Sequence, residues 1–82
     1  MTRDKQNIIL EEMKGTVRKI REAVEVEAVD EVRSFNTYFL GLAYVMEVET
    51  GNEYHWSYEE DGKESAVVVL DSKTGKERRY KV

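Results

Sequence analysis

Carboxylates are the residues of this chain whose number and spacing come closest to a chemical site. Glu47 and Glu49 are separated by one residue in one segment, and Glu59, Glu60 and Asp61 are consecutive in another. Paired carboxylates can act in acid–base catalysis or bind calcium, but this spacing lacks the ligand order of a calcium loop. Crowded charges of one sign do produce a field that attracts a basic partner. We therefore predict that these five residues belong to a partner-binding surface.

The residue inventory excludes most other catalytic chemistry. The chain has a single histidine, His55, and no cysteine, so it cannot build Cys–His catalysis or a His-rich zinc site. No glycine-rich phosphate-binding motif and no nucleophile-elbow sequence occurs. We therefore predict a protein that is not an enzyme and that has no catalytic residue, cofactor or metal.

The formal net charge of −4 hides a division into a basic start, an acidic middle and a basic end. Residues 22–64 contain twelve acidic and two basic side chains, whereas residues 1–21 and 65–82 each carry a net charge of +3. The basic C-terminal strand could follow a phosphate backbone, which makes nucleic-acid binding one alternative function. We do not favour it, because strand alternation divides these charges between two faces and the whole chain is acidic.

Apolar side chains recur at helical spacing in the first third of the chain, which predicts a helix with one core-facing stripe. The stripe consists of Ile9, Met13, Val17, Ile20 and Val24. Gly15 interrupts the pattern, so this region is predicted to be either one kinked helix or two short helices. Residues 24–33 fit the periods of both a strand and a helix, and we favour the helix.

The second half has the turn residues and apolar runs of four antiparallel strands. The first, residues 38–49, is apolar on both alternating faces until Glu47, which is typical of a strand covered on both sides. Gly51–Asn52, Asp61–Gly62 and the stretch 72–75 supply turns before the next three strands. We predict a single α+β domain over residues 1–82, with the helical region packed on one face of a four-stranded antiparallel β-meander.

The turns also set the register of the last three strands. A turn at Asp61–Gly62 places Trp56 opposite Val67, and a turn bulged at Gly75 places Val67 opposite Tyr80. One face should then be aromatic and should receive the helix stripe. Its members are Tyr54, Trp56, Tyr58, Val67, Val69 and Tyr80.

The opposite face of the predicted sheet has an aliphatic centre formed by Ala66, Val68 and Leu70, which Phe39, Ala43 and Val45 of the first strand would extend. Exposed apolar patches on small proteins often mark contacts, and a second copy can cover such a face about a twofold axis. We therefore predict a protein–protein interaction module, acting as a small acidic inhibitor or adaptor, with a homodimer as one form of assembly. The other alternative is a small-ligand-binding domain that uses the aromatic face. Either the acidic hairpins or the aliphatic face would form the binding surface.

The C-terminal stretch 67–76 has the sequence VVVLDSKTGK. It resembles the closing hairpin of PepSY-type domains, in which an alternating strand runs into an Asp-x-x-Thr-Gly turn, and a helix before a meander is also similar. The resemblance implies a role in modulating a protease.

The apolar run nearest the N-terminus is Ile8–Leu10. A run of this length is far shorter than a signal-peptide core or a membrane-spanning helix. We therefore expect a soluble cytoplasmic protein without a membrane partner.

Overall fold

The computed structural model of the chain describes residues 1–61 and 63–82 as two helices packed on a three-stranded antiparallel sheet. The strands follow chain order across the sheet. The elements are α1 (Arg3–Glu25), α2 (Val29–Thr50), β1 (Glu53–Glu59), β2 (Glu64–Leu70) and β3 (Glu77–Lys81). The predicted α+β class, with helices preceding an antiparallel sheet, is confirmed.

The N-terminal helix is continuous. Thr2 caps it, because its side chain accepts a hydrogen bond from the backbone N–H three residues later. Gly15 does not divide it, although glycine costs about 1 kcal/mol relative to alanine in a helix. Met13, Val17 and Ile20, on both sides of Gly15, are completely buried, and packing of such a face outweighs one local preference.

The segment 38–49 is helical and belongs to α2, so the predicted four-stranded meander is wrong by one strand. Its buried residues, Phe39, Ala43 and Met46, are separated by four and three positions, which is the helical period. Between them, Leu40, Tyr44 and Val45 remain exposed, whereas Leu42 is partly buried against the core. Phe39 and Ala43 are therefore core residues and not part of an exposed aliphatic surface as predicted, whereas Val45 is exposed. Because both sides of the helix are apolar, the alternation resembled that of a strand covered on both faces.

The ambiguous region 24–33 contains the end of α1, a short turn and the start of α2. Glu27 has a φ of 56° in this turn, which lets the chain reverse so that the helices run antiparallel. Gly51, predicted in a hairpin turn, instead ends α2. It has a left-handed φ of 77°, and its N–H donates to the carbonyl of Glu47 at 2.8 Å.

The predicted register of the sheet is confirmed. Trp56 pairs with Val67, and Val67 pairs with Tyr80. Gly62, placed by prediction in the β1–β2 turn, lies outside the described residues. At the β2–β3 turn, Gly75 has a positive φ of 73°, as its predicted bulge position requires.

Asp71 organises the β2–β3 turn. Its Oδ1 accepts hydrogen bonds from the backbone N–H groups of Lys73, at 2.8 Å, and Thr74, at 3.2 Å. These two bonds stabilise the carboxylate and hold the pKa of Asp71 below its usual range.

The core lies between the helices and the predicted aromatic face of the sheet, with α1 over β2 and α2 over β1. Tyr54 is buried there, and Trp56 and Tyr80 pack against its margin. The indole Nε1 of Trp56 donates to Oδ1 of Asn36 in α2 at 2.8 Å, which satisfies the polar atom of a large core residue.

Candidate interaction surface

The side of α2 that faces away from the sheet is apolar and exposed. We define the α2 outer face by Leu40, Gly41, Tyr44, Val45 and Val48. Leu40, Tyr44 and Val48 are 56%, 67% and 66% exposed and follow one another at four-residue intervals, so they form a single stripe along the helix. The buried residues of α2 occupy the opposite side.

The α2 outer face also lacks charge. Residues 34–46 contain no acidic or basic side chain, although 37% of the chain is charged. The strand prediction places only Val45 of this face in an exposed apolar surface, because a strand and a helix expose different residues of the same segment. The thirteen uncharged residues, together with the four-residue spacing of Leu40, Tyr44 and Val48, were the signal that could have revealed it.

Two contacts between the helices extend the apolar region toward α1. The Tyr38 hydroxyl donates to Oε1 of Glu12 at 3.0 Å, and the N-terminal amino group lies 3.1 Å from Oε2 of Glu49. These contacts fix α1 antiparallel to α2 and bring Ile8 level with the middle of α2. Ile8 is 68% exposed, so it adds to the apolar surface at the seam between the helices.

The outer face of the sheet is polar where we expected an exposed aliphatic centre. Val68 and Ala66 are only 7% and 4% exposed, and Leu70 is half-buried. Arg79 pairs with Val68 and donates through Nη2 to Ser57 Oγ at 2.8 Å, so its side chain crosses this face. The expected exposure is therefore not found, because a long side chain on β3 covers the small residues of the central strand. The partner-binding role of these three residues stays a prediction.

The predicted acidic residues do not form one surface. Glu47 and Glu49 lie at the end of α2, beside the start of β1, whereas Glu59 closes β1 and is followed by Glu60 and Asp61. A strand of this length separates the two groups by roughly 20 Å.

Several of these carboxylates also have partners within the chain. Oε1 of Glu47 accepts the Tyr54 N–H at 3.3 Å, and Oε1 of Glu59 lies 3.7 Å from Arg79. Glu60 and Asp61 are exposed in the turn. A partner-binding role for the acidic residues also stays a prediction.

Two of the three basic residues of β3, Arg79 and Lys81, also have acidic partners within the chain. Arg79 lies near Glu59 and Glu77, and Lys81 lies 3.6 Å from Glu64. Four glutamates, Glu53, Glu59, Glu64 and Glu77, share the outer sheet face with these two basic residues, which disfavours the nucleic-acid alternative.

A polar cleft of about 250 Å³ opens between the start of α1 and the sheet. Its lining includes Arg3, Arg78, Asn7 and Tyr54. Two members of the predicted aromatic face, buried Tyr54 and partly buried Tyr80, line this cleft, whereas Val67 and Val69 of the same face are covered by the helices.

Among residues 1–61 and 63–82, no cluster of three His, Cys, Asp or Glu side chains could hold a metal ion. Within the same ranges, neither helix has the length and apolar composition needed to cross a bilayer. Comparison with protein-family models, curated sequences and solved structures finds no significant match to this chain. The protease-modulating role implied by the PepSY resemblance stays a prediction.

Proposed function

We propose that this protein is a non-enzymatic protein–protein interaction module, an adaptor or inhibitor, that contacts its partner through the α2 outer face. One observation carries the proposal: Leu40, Tyr44 and Val48 are each more than half exposed on a helix segment with almost no charge. Removing apolar surface from water yields roughly 25 cal/mol per Å², so an uncovered stripe of this kind favours association.

The shape of the face favours a protein over a small molecule. A single helix presents a convex ridge, whereas small ligands are held in concave pockets. Apolar anchors at four-residue intervals are the pattern by which a helix is received by an apolar groove or by other helices. Tyr44 has the amphipathic character that enriches tyrosine at interfaces.

Site-specific photo-crosslinking in the source cells tests this proposal. A benzophenone amino acid at Tyr44 should give a discrete protein adduct that Leu40→Lys abolishes. The matched control is the same probe at His55, which is also exposed but lies on the outer sheet face. Adducts formed from position 55 and not from position 44 would contradict the proposal.

The polar cleft supports a second candidate, binding of a small organic anion. Two guanidinium groups can hold a carboxylate or phosphate while Leu10 and Met46 contact an apolar part of the ligand. Calorimetric titration with benzoate and with a nucleoside monophosphate tests it. Arg78→Gln should abolish heat of binding that Arg79→Gln, outside the cleft, preserves.

A further inference from the structure

We infer that the α2 outer face binds the same face of a second copy of this chain, forming an antiparallel twofold dimer. This inference rests on the proposed function, because it names the partner of the same surface. The area, the charge distribution and the shape of the helical layer each support a second copy as the occupant.

The exposed apolar area is close to what a stable dimer needs. Ile8, Tyr38 and Val45 adjoin the stripe of Leu40, Tyr44 and Val48, and all six are substantially exposed. Together they offer on the order of 500 Å² of apolar surface, given that a full aromatic side chain carries 150–250 Å². With the polar side chains around them, the face approaches the roughly 800 Å² per partner of a standard interface.

The charge distribution favours a copy placed antiparallel. The α2 outer face is uncharged, so two copies can meet without opposing like charges. The end of the helical layer near the N-terminus has mixed charge, with Arg3 and Lys5 of α1 close to Asp4 and to the α2 residues Glu47 and Glu49. At the other end, residues 22–33 contain five acidic side chains and one basic side chain. Antiparallel pairing keeps the two acidic ends apart and places each beside the mixed end of the other copy, whereas parallel pairing opposes the two acidic ends.

Gly41 provides the point of closest approach. It lies near the middle of α2, and an added Cβ would meet no atom within 4 Å, so the face is open there. A twofold axis near Gly41 allows the two helices to pack at about 8–10 Å. Tyr44 of each copy then lies beside Leu40 of the other copy.

Cysteine scanning tests the arrangement, because the chain has no cysteine of its own. Under mild oxidation, Gly41→Cys should form a disulfide-linked dimer, since the axis brings the two sulfur atoms together. Val48→Cys should not form one. Position 48 lies seven residues, or about 10 Å along the helix, from the axis, and the two copies of this position lie on opposite sides of the axis. Val26→Cys, exposed in the interhelical turn, is the control for random collision. Equal crosslinking at positions 41 and 48 would overturn the antiparallel arrangement.

Sedimentation equilibrium across a dilution series tests the dimer itself. Tyr44→Lys should weaken dimerisation at least ~100-fold, because it buries two unpaired ammonium groups. His55→Lys adds the same charge at an exposed position on the outer sheet face, away from the helical layer, and should leave the dissociation constant unchanged. Circular dichroism should show both variants folded, since neither side chain packs in the core.

A chain that stays monomeric up to roughly 1 mM overturns the dimer. If the Tyr44 photo-probe then labels a different protein in an L40K-sensitive way, the interaction module survives with a heterologous partner. If the probe labels nothing, the proposed function fails as well.

Discussion

The two helices have nearly the same length and the same relation to the sheet, yet their outer sides differ. Each buries a stripe of core residues against a strand, Met13, Val17 and Ile20 in α1 and Phe39, Ala43 and Met46 in α2. The outer side of α1 is largely charged, whereas the outer side of α2 has Leu40, Tyr44 and Val48. The inner stripes are what the core requires, so the apolar outer side of α2 needs a separate explanation. A helix that is apolar all round is normally covered on both sides.

The largest expected effect compares neighbouring positions on the two sides of α2. Phe39→Ala should lower the free energy of unfolding by about 3–5 kcal/mol, because it leaves a cavity in the core. Leu40→Ala should change it by less than about 0.5 kcal/mol, as is usual for surface sites. Urea denaturation at micromolar protein measures both. Similar losses would mean that α2 has no distinct inner and outer sides in the monomer.

A second prediction concerns the charged side chains of α1, most of which are exposed to solvent. Arg21 is an exception, because its Nη1 donates to Ser65 Oγ at 3.2 Å and to the Val82 carbonyl at 2.9 Å. Arg21→Met should lower the free energy of unfolding by about 1.5 kcal/mol, the lower end of the range for hydrogen bonds from charged donors. Arg18→Met, exposed on the same helix, is the control and should be close to neutral. An equal effect of the two changes would remove the structural role of Arg21.

A smaller change in stability is expected at the glycine within each helix, and the two positions can be compared directly. Gly15 in α1 and Gly41 in α2 both have open space where a Cβ would be added. Each change to alanine should raise the free energy of unfolding of the monomer by about 0.5–1 kcal/mol. Gly51→Ala should have the opposite sign and lower it by about 1 kcal/mol, because Gly51 has a left-handed φ.

The stabilities of the two helical glycine variants should also depend differently on protein concentration. At protein concentrations where the dimer forms, Gly41→Ala should lose part of its advantage, since the added methyl group separates the helices. Gly15→Ala should keep its full advantage. Thermal unfolding at two protein concentrations makes the comparison, and a concentration-independent gain for Gly41→Ala would count against a contact at this position.

The smallest expected effect concerns the contact between the helices. The hydrogen bond to Glu12 raises the pKa of the Tyr38 hydroxyl. A raised pKa means that the folded state retains this proton more tightly than the unfolded state. The contribution to stability is therefore present below the unfolded pKa of about 10 and is lost as pH rises through the folded pKa. Tyr38→Phe should show a shallower loss of stability between about pH 9 and 11 than the original chain. Identical profiles would contradict the contact.

Local patterns were sufficient for the sheet and for α1. The positions of Gly62 and Gly75 predicted which residues of the three strands pair, because turn residues restrict the hairpin connections. The stripe from Ile9 to Val24 predicted a helix, because charged residues mark its other side clearly.

The candidate interface depended on tertiary structure. Residues 38–46 contain no charged side chain that would mark an exposed side, so their apolar pattern fits the period of a strand as well as that of a helix. The pairing of α2 with α1 and β1 decided that Phe39 points inward and Leu40 outward. Likewise, the exposure of Val68 depended on Arg79 reaching across from the neighbouring strand, a contact between residues of different strands that alternation within one strand cannot predict. The sequence by itself determined helix, turn and register where polar residues or glycines marked them, and only the tertiary structure decided which apolar side chains remain in contact with water.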